Sequence, residues 1–389
     1  MTRPLLATIP ETRCPPTSRY LADPETWRAI AASPEFTFTA LWAEPGAVIA
    51  LLETNGAPVL VSVAVEQGFY PALSPFHPHS AAFERMLRDL WGYNAVGATD
   101  ARPMLDFGHW PVATPMARPT ASGPPERPTS GFAHKGTLAL LRGKSPRAAA
   151  RFAARLDGEA TVSHSIAFAR AAEADIAPPP RALALRDLMA TIEHLAFGLD
   201  HLGAIAQAAD AALLAAACAR LREATAGAAA AAFGHRLMMD AVIPGGVAID
   251  LAPDGAAHLS RLARTIHATP LAPLIAATLD QRLRDLPQVA ARTTSLLATT
   301  NAAAATIPPQ LDTIPPGPLA IGIPPRDGEA LGQHPGPRGT TTHWLRLEGG
   351  QIAAAFLLDP TWHDPAPISA DDHSIINAAF AAGPSGSDL

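Results

Sequence analysis

The sequence predicts an α+β protein in three parts: a small N-terminal α/β domain (residues 1–110), a Pro-rich linker (111–131), and a larger, mainly α-helical domain (132–389) with a short C-terminal β-hairpin. Three observations carry this. Apolar runs broken by Pro-Gly and Asn-Gly fill the first part, the pattern of strands and turns. From 132 to about 300 the apolar residues recur at helical spacing. Near the end, two alternating runs flank Glu348-Gly349-Gly350, a hairpin signal.

Within residues 26–110, "FTFTALWAEPGAVIALLET" and "PVLVSVAVE" read as strands. They lead to "HSAAFERMLRDLWGYNA", where Phe83, Met86, Leu87, Leu90 and Trp91 share a helix face. Ser80 is a candidate N-cap there, and Gly92 or Asn94 can end the helix. Residues 111–131 hold six prolines, which sets an extended linker. Helices follow from Ser145 or Pro146 to about Leu156, and from Val162 to Ala174. The run from Arg181 to about Ala232 reads as one helix, or as two meeting near Gly203. "HATPLAPLIAATLDQRLRDLPQVAARTTSLLATT" is helical again. "IPPQLDTIPPGPLAIGIPPRDGEALGQHPGPRG" is too rich in Pro and Gly for anything but an extended loop. No repeat of solenoid period is visible.

Composition narrows the function. Hydrophobic residues make up 48% and charged residues 16%, enough for a sizeable core. The net charge of −6 gives no basic footprint for nucleic acid. "MTRPLLATIPETRCPPTSRY" lacks the apolar run of a signal peptide, and no stretch approaches the ~18 apolar residues of a membrane span. The expectation is a soluble chain, or one held at a membrane by partners. The two cysteines, Cys14 in a Pro-rich loop and Cys218 in an Ala-rich helix, form no CxxC pair. One copy of the chain therefore builds no site that needs four thiolates.

Five segments could carry chemistry. "RLDGEATVSH" (155–164) has the outline of a metal-ligand loop with no cysteine in it. "FAHKGTLALLRGKSP" sets His134 and Lys135 before Gly136, then Arg142-Gly143-Lys144; it could hold an anion, but a solvated helix start with ordinary capping is favoured. "FGHRLMMDAVIPGGVAIDL" joins His235, Arg236 and Asp240 to a Pro244-Gly245-Gly246 turn, where glycine permits close backbone approach. "GPRGTTTHWLRLEGG" presents Arg338 ahead of the hairpin, able to bind an anionic or polar group or to pin a loop. Glu193-His194 and His201 sit at helical spacing, but the two histidines lie two turns apart, too far for ligation within one turn, so satisfied interior or interfacial histidines are favoured. GxSxG, HExxH, Walker A and EF-hand patterns are absent.

Taken in order, these segments resemble the membrane-bound (group 4) nickel–iron (NiFe) hydrogenase large subunits and the related fused C/D-type subunit of respiratory complex I. "AAFERMLRDLWGYNAVGATDARPMLDFGHWP" is similar to the small complex I domain, so 1–110 takes the place of the C-type subunit. "FAHKGTLALLRGKSP", "SHSIAFARAAEADIAPPPRA", "TIEHLAFGLDHLGAIA", "FGHRLMMDAVIPGGVAIDL" and "GPRGTTTHWLRLEGGQIAAAFLLDPTW" follow the D-type, hydrogenase-large-subunit-like domain (132–389). "SIINAAFAAGPSGSDL" takes the place of its C-terminal metal-binding end. The resemblance runs from about residue 26 onward.

The departures define the member. The family binds nickel and iron through two Cys-x-x-Cys pairs. Here the first pair falls on Asp157 and Ala160, and the second has no counterpart among residues 379–389. Soft thiolates hold such a metal pair; a lone hard oxygen does not. The complex I version also lacks these cysteines and shapes a quinone cavity, but its strand turn that contacts the quinone headgroup falls in a segment missing here. The resemblance thus implies a divergent, metal-free member. It would be a peripheral-arm subunit of a membrane-bound, respiratory-type oxidoreductase complex (hydrogenase-related and complex I-like), at the cytoplasmic face of the bacterial inner membrane. Its implied role is quinone or redox coupling to ion translocation. The chain would bind no cofactor of its own, with quinone the candidate small molecule and an iron–sulfur cluster in a partner subunit. Implied partners are that iron–sulfur small subunit and membrane antiporter-like subunits; nucleic acid is not one. Arg338, His235, Arg236, His164 and Asp157 would line the vestigial cavity, with His134 and Lys135 at its mouth. The alternative is a non-catalytic structural or assembly protein holding the iron–sulfur subunit; an active NiFe hydrogenase ranks last.

Overall fold

A computed structural model of the chain describes residues 5–7, 9–106, 108, 113–117 and 136–363. Most of the expected linker and the segment after 363 lie outside the described residues.

The N-terminal part is built on a five-stranded sheet. Strands β1 (Glu11–Cys14) and β2 (Thr17–Ala22) form a hairpin where the sequence read only a Pro-rich loop. Helix α1 (Pro24–Ala32) follows; the Asp23 carboxylate accepts the N–H groups of Glu25 and Thr26, and Pro24 sits where no N–H is needed. Strands β3 (Thr37–Glu44), β4 (Ala47–Thr54) and β5 (Ala57–Ala64) pair antiparallel, and β5 also pairs parallel with β2, giving the order β1-β2-β5-β4-β3. Asn55 and Gly56 both take positive φ (52° and 72°), as the Asn-Gly hairpin signal requires. Beyond β6 (Phe69–Pro71), helix α2 (Ser80–Trp91) lays Phe83, Met86, Leu87 and Leu90 into the core. Gly92 closes α2 in the left-handed conformation, as expected, but the cap position at its start is His79; Ser80 is the first helical residue and fully buried. Strand β7 (Asn94–Val96) pairs with β6.

The second part starts with α3 (Thr137–Leu141), α4 (Pro146–Ala153) and α5 (Thr161–Glu173). The long expected helix is two, α6 (Pro180–Ala208) and α7 (Ala212–Phe233), but they part at Ala209–Ala211, where Asp210 takes a positive φ of 53°. Gly203 lies inside α6, where a Cβ would come 3.3 Å from the Cβ of Cys218, so it sets helix spacing rather than a break. Strands β8 (Val242–Ile243) and β9 (Gly246–Val247) flank the Pro244-Gly245 turn. Then come α8 (Gly255–Ala268), α9 (Leu271–Thr278) and α10 (Pro287–Asp312).

Two readings of the Pro-rich stretch change. Helix α10 runs through Pro308 and Pro309 to Asp312, with Ala303, Ala304 and Ile307 packed inside. "GEALGQHP" is strand β10 (Gly328–Pro335), so the expected hairpin of β11 (Thr340–Glu348) and β12 (Gln351–Leu358) is a three-stranded antiparallel sheet. No helix among the described residues is long and apolar enough to cross a membrane.

Two cores result. One joins the N-terminal sheet, α2 and the C-terminal sheet: Trp42 stacks on Phe356 (centroids 4.8 Å apart) and leans on Trp344, and Phe83 meets Trp362. Arg19 stitches the same seam, bonding Glu44 at 2.6 Å and Glu329 at 3.3 Å, while Arg346 reaches Glu44 from β11. The other core is the bundle of α6, α7, α8 and α10. Helix α5, almost wholly buried, lies between the C-terminal sheet and this bundle. Gly332 makes that possible: a Cβ there would fall 2.0 Å from the Ala167 carbonyl oxygen.

Candidate functional site

Three chain segments converge at the start of α5. The first is the loop 157–160, drawn into a tight turn because Asp157 Oδ1 accepts the Glu159 N–H (2.8 Å). The second is Glu193 on α6, whose carboxylate accepts the N–H groups of Val162 (2.5 Å) and Ser163 (3.0 Å) and the Ser163 hydroxyl. A carboxylate here answers the free donors and the positive end of the α5 dipole. The third is the 335–339 turn between β10 and β11, seated so closely that a Cβ on Gly336 would come 3.0 Å from Ser163 Oγ.

That turn delivers Arg338 to the loop. Its Nη2 lies 2.5 Å from Glu159 Oε2 and its guanidinium sits 5.2 Å from the Phe197 ring centroid. His201 Nε2 meets the same Glu159 oxygen at 3.3 Å, and its ring packs 4.1 Å from Phe197. Burial works to raise the Glu159 carboxyl, but the His201 hydrogen bond and the Arg338 charge outweigh it and hold it down at about 2. For Glu193 the balance reverses: burial pushes it up to about 7 against its three hydrogen bonds. Both carboxyls line one cleft, with Gly158, Phe197, Asp200 and Arg222. Two acids in one cleft, one firmly ionised and one titrating near neutrality, can bind a cation or exchange a proton.

Behind the cleft a second cluster crosses from α5 to the sheet. His164 Nε2 lies 2.8 Å from Asp359 Oδ2, and His164 Nδ1 lies 2.9 Å from His343 Nε2. All three residues are buried. The His164 bond and charge overcome burial at Asp359 and hold its carboxyl at about 2.

Asp157, His164 and Arg338 thus come together around the start of α5. Arg236 lines the cleft's rim, where its guanidinium pairs with Glu223 at 2.6 Å. His235 is exposed, and its Nδ1 accepts the N–H groups of Leu237 and Met239, fixing its own turn. Asp240 forms an exposed pair with Arg155. His134 and Lys135 lie outside the described residues. Glu159, Phe197, His343 and Asp359 are not singled out by the sequence, and Glu193 is named there only beside His194 and His201. Glu159 was available inside "RLDGEATVSH"; the others needed contacts across 30 to 195 residues. The Pro244-Gly245-Gly246 turn is structural: Cβ atoms on its glycines would fall 2.3 Å from the Ile321 oxygen and 2.1 Å from the Leu319 oxygen, and the buried Arg186–Glu173 pair clamps it.

A thiolate-held metal pair does not fit this donor set. Asp157 is committed to its own loop, Ala160 has no donor atom, and Cys14 and Cys218 are fully buried elsewhere. Burial pushes the Cys218 thiol up to about 11 and the Cys14 thiol higher still. Among the described residues, no group of three or more His, Cys, Asp or Glu side chains is arranged to hold a metal ion.

No protein-family model matches the sequence, and no curated protein matches it. Among solved structures, a chain of the membrane-bound sulfane sulfur reductase (MBS), an archaeal respiratory membrane complex, superposes with a TM-score of 0.58. The match covers 69% of this chain and 90% of that one at 14% identity, a likeness of fold.

Proposed function

We propose that this chain is a peripheral subunit of a membrane-bound, respiratory-type oxidoreductase complex, and that it works without nickel or iron of its own. The observation that carries the metal-free reading is the loop 157–160, where a hard carboxylate and a methyl group stand in place of two thiolates and the carboxylate is spent on a backbone N–H. The fold likeness to a chain of a respiratory membrane complex supports the setting. In that setting, Arg338 and His201 hold Glu159 ionised, and Glu193 takes and gives a proton near neutral pH. The iron–sulfur subunit, antiporter-like subunits, quinone and cytoplasmic face belong to the same proposal. The contacts of Arg338 with Glu159 and Phe197 inside the protein favour one second reading, a structural subunit that holds the iron–sulfur partner. Purification of the native complex, with metal analysis and quinone-reduction and hydrogen-uptake assays, separates them. Turnover that depends on Arg338 and Glu193 supports the first; an Arg338→Ala complex that fails to assemble supports the second.

A further inference from the structure

Residues 136–156, which form α3, α4 and the loop between them, hold Arg142, Lys144, Arg147, Arg151 and Arg155 and no acidic residue, in a chain whose net charge is −6. Arg155 is paired with Asp240, the acid whose charge also reaches Arg151. Among the described residues, no carboxylate lies within ion-pair distance of the other four cations. Like charges gathered without counter-ions repel one another, and an external anion relieves that repulsion.

The fold gathers these cations on one side of the C-terminal sheet. The loop is tied to β12: the Gly143 N–H donates to the Ile352 carbonyl and the Ile352 N–H to that of Lys144, both at 2.9 Å. Ser145 then caps α4, which turns Ala149, Ala150 and Ala153 inward and leaves Arg147 and Arg151, four residues apart, exposed. The Lys144 ammonium and the Arg151 guanidinium share the Phe152 ring, 5.8 and 4.9 Å from its centroid. Arg142 is half-buried beside Arg346; burial, then that second guanidinium, hold its own below the ordinary range. Arg346 is already engaged with Glu44 at 3.0 Å and Glu348 at 3.7 Å. Leu140, two residues before Arg142, is 50% exposed.

We propose that this face, Arg142, Lys144, Arg147 and Arg151 with Leu140, docks the chain on an anionic phospholipid bilayer. The cations stand along an exposed loop and helix face and do not line the cleft at 157–160, so they meet several lipid phosphates at once. Guanidinium forks match phosphate oxygens, and the long stems carry the charges to headgroup depth while Leu140 meets the acyl boundary. Four cations reach the number at which a basic cluster holds to an anionic membrane surface. The proposal deepens the peripheral reading above and rests on it for its setting, but lipid binding needs this chain alone. Its failure therefore leaves the metal and turnover assays of the complex untouched.

The test is co-sedimentation of the full chain with phosphatidylcholine vesicles that contain or lack about 30% phosphatidylglycerol. At low salt the chain is expected to bind only the vesicles with phosphatidylglycerol, and to leave them in about 0.5 M NaCl. Arg147→Gln combined with Arg151→Gln should weaken binding roughly 30-fold, about fivefold per cation. Arg261→Gln combined with Arg264→Gln removes the same charge from α8 and should leave binding within about twofold. All four side chains are exposed, so both double variants keep the fold, which circular dichroism checks. No binding to phosphatidylglycerol vesicles, equal binding to both vesicle types, or equal losses in the two double variants overturns the proposal. Binding to polyglutamate but not to vesicles overturns it too, and assigns the face to an acidic protein.

Discussion

Arg338→Ala removes the side chain on which the ionised state of Glu159 leans. Holding Glu159 at about 2 instead of its ordinary 4.5 corresponds to roughly 3 kcal/mol of interaction. Glu159 keeps 24% of its side chain exposed and shares the work with His201, so about 2 kcal/mol falls to Arg338 after solvent screening. Loss of its contact with Phe197 adds about 0.5–1 kcal/mol. A total of about 2–3 kcal/mol lowers Tm by roughly 4–6 °C in a chain of this size. The sign with pH follows from a depressed carboxyl: the stabilisation is complete above about pH 4.5 and is lost as pH falls toward 2. The assay is thermal unfolding from pH 3 to 8 for wild type, Arg338→Ala and the double variant with Glu159→Gln. The gap between wild type and Arg338→Ala should narrow on the acid side, and the double variant should recover part of the loss. An unchanged Tm at pH 7, or a gap independent of pH, refutes the reasoning. In the complex proposed above, the same substitution is expected to reduce activity more than assembly.

Other outcomes follow from the same contacts. Glu193 should titrate near 7 in carbon-13 carboxyl spectra; with a raised pKa, its contribution to stability is full below about pH 4.5 and declines as pH rises through 7. Arg19→Ala leaves Glu329 without its guanidinium and Glu44 with Arg346 alone in the seam between the two sheets, and should cost about 3 kcal/mol by chemical denaturation. Gly198→Ala would set a Cβ 2.2 Å from Thr300 Oγ1, where α6 crosses α10; the expected loss is about 1–3 kcal/mol, and Thr300→Ala should restore most of it.

The fold was legible where local chemistry decides it. Asn55-Gly56, Gly92 and Glu348-Gly349-Gly350 act as the turn and cap their sequence predicts, and the face Phe83-Met86-Leu87-Leu90 is buried. It was illegible where tertiary packing overrode local signals. Pro308 and Pro309 read as helix breakers, yet α10 is held through them by its contacts with α6 and α8. "GEALGQHP" reads as loop because its glycine is an absence: Gly332 is needed where α5 presses on the sheet, and Gly cannot signal a strand. The linker lay within residues mostly not described, but the core does not follow chain order: Trp42 and Phe83 pack on Phe356 and Trp362. In the site, Arg338, His164 and Asp157 were readable from motif outlines. Their pairings with Glu159, His343 and Asp359 were not, since pairs 179 and 195 residues apart leave no trace in local spacing.

The central proposal is that this chain holds no nickel–iron centre. Metal analysis of the purified native complex, quantified per copy of this chain and combined with a hydrogen-uptake assay, tests it most directly. The expected result is no stoichiometric nickel and no hydrogen turnover. Stoichiometric nickel that stays with the chain, or hydrogen turnover by the complex, contradicts it.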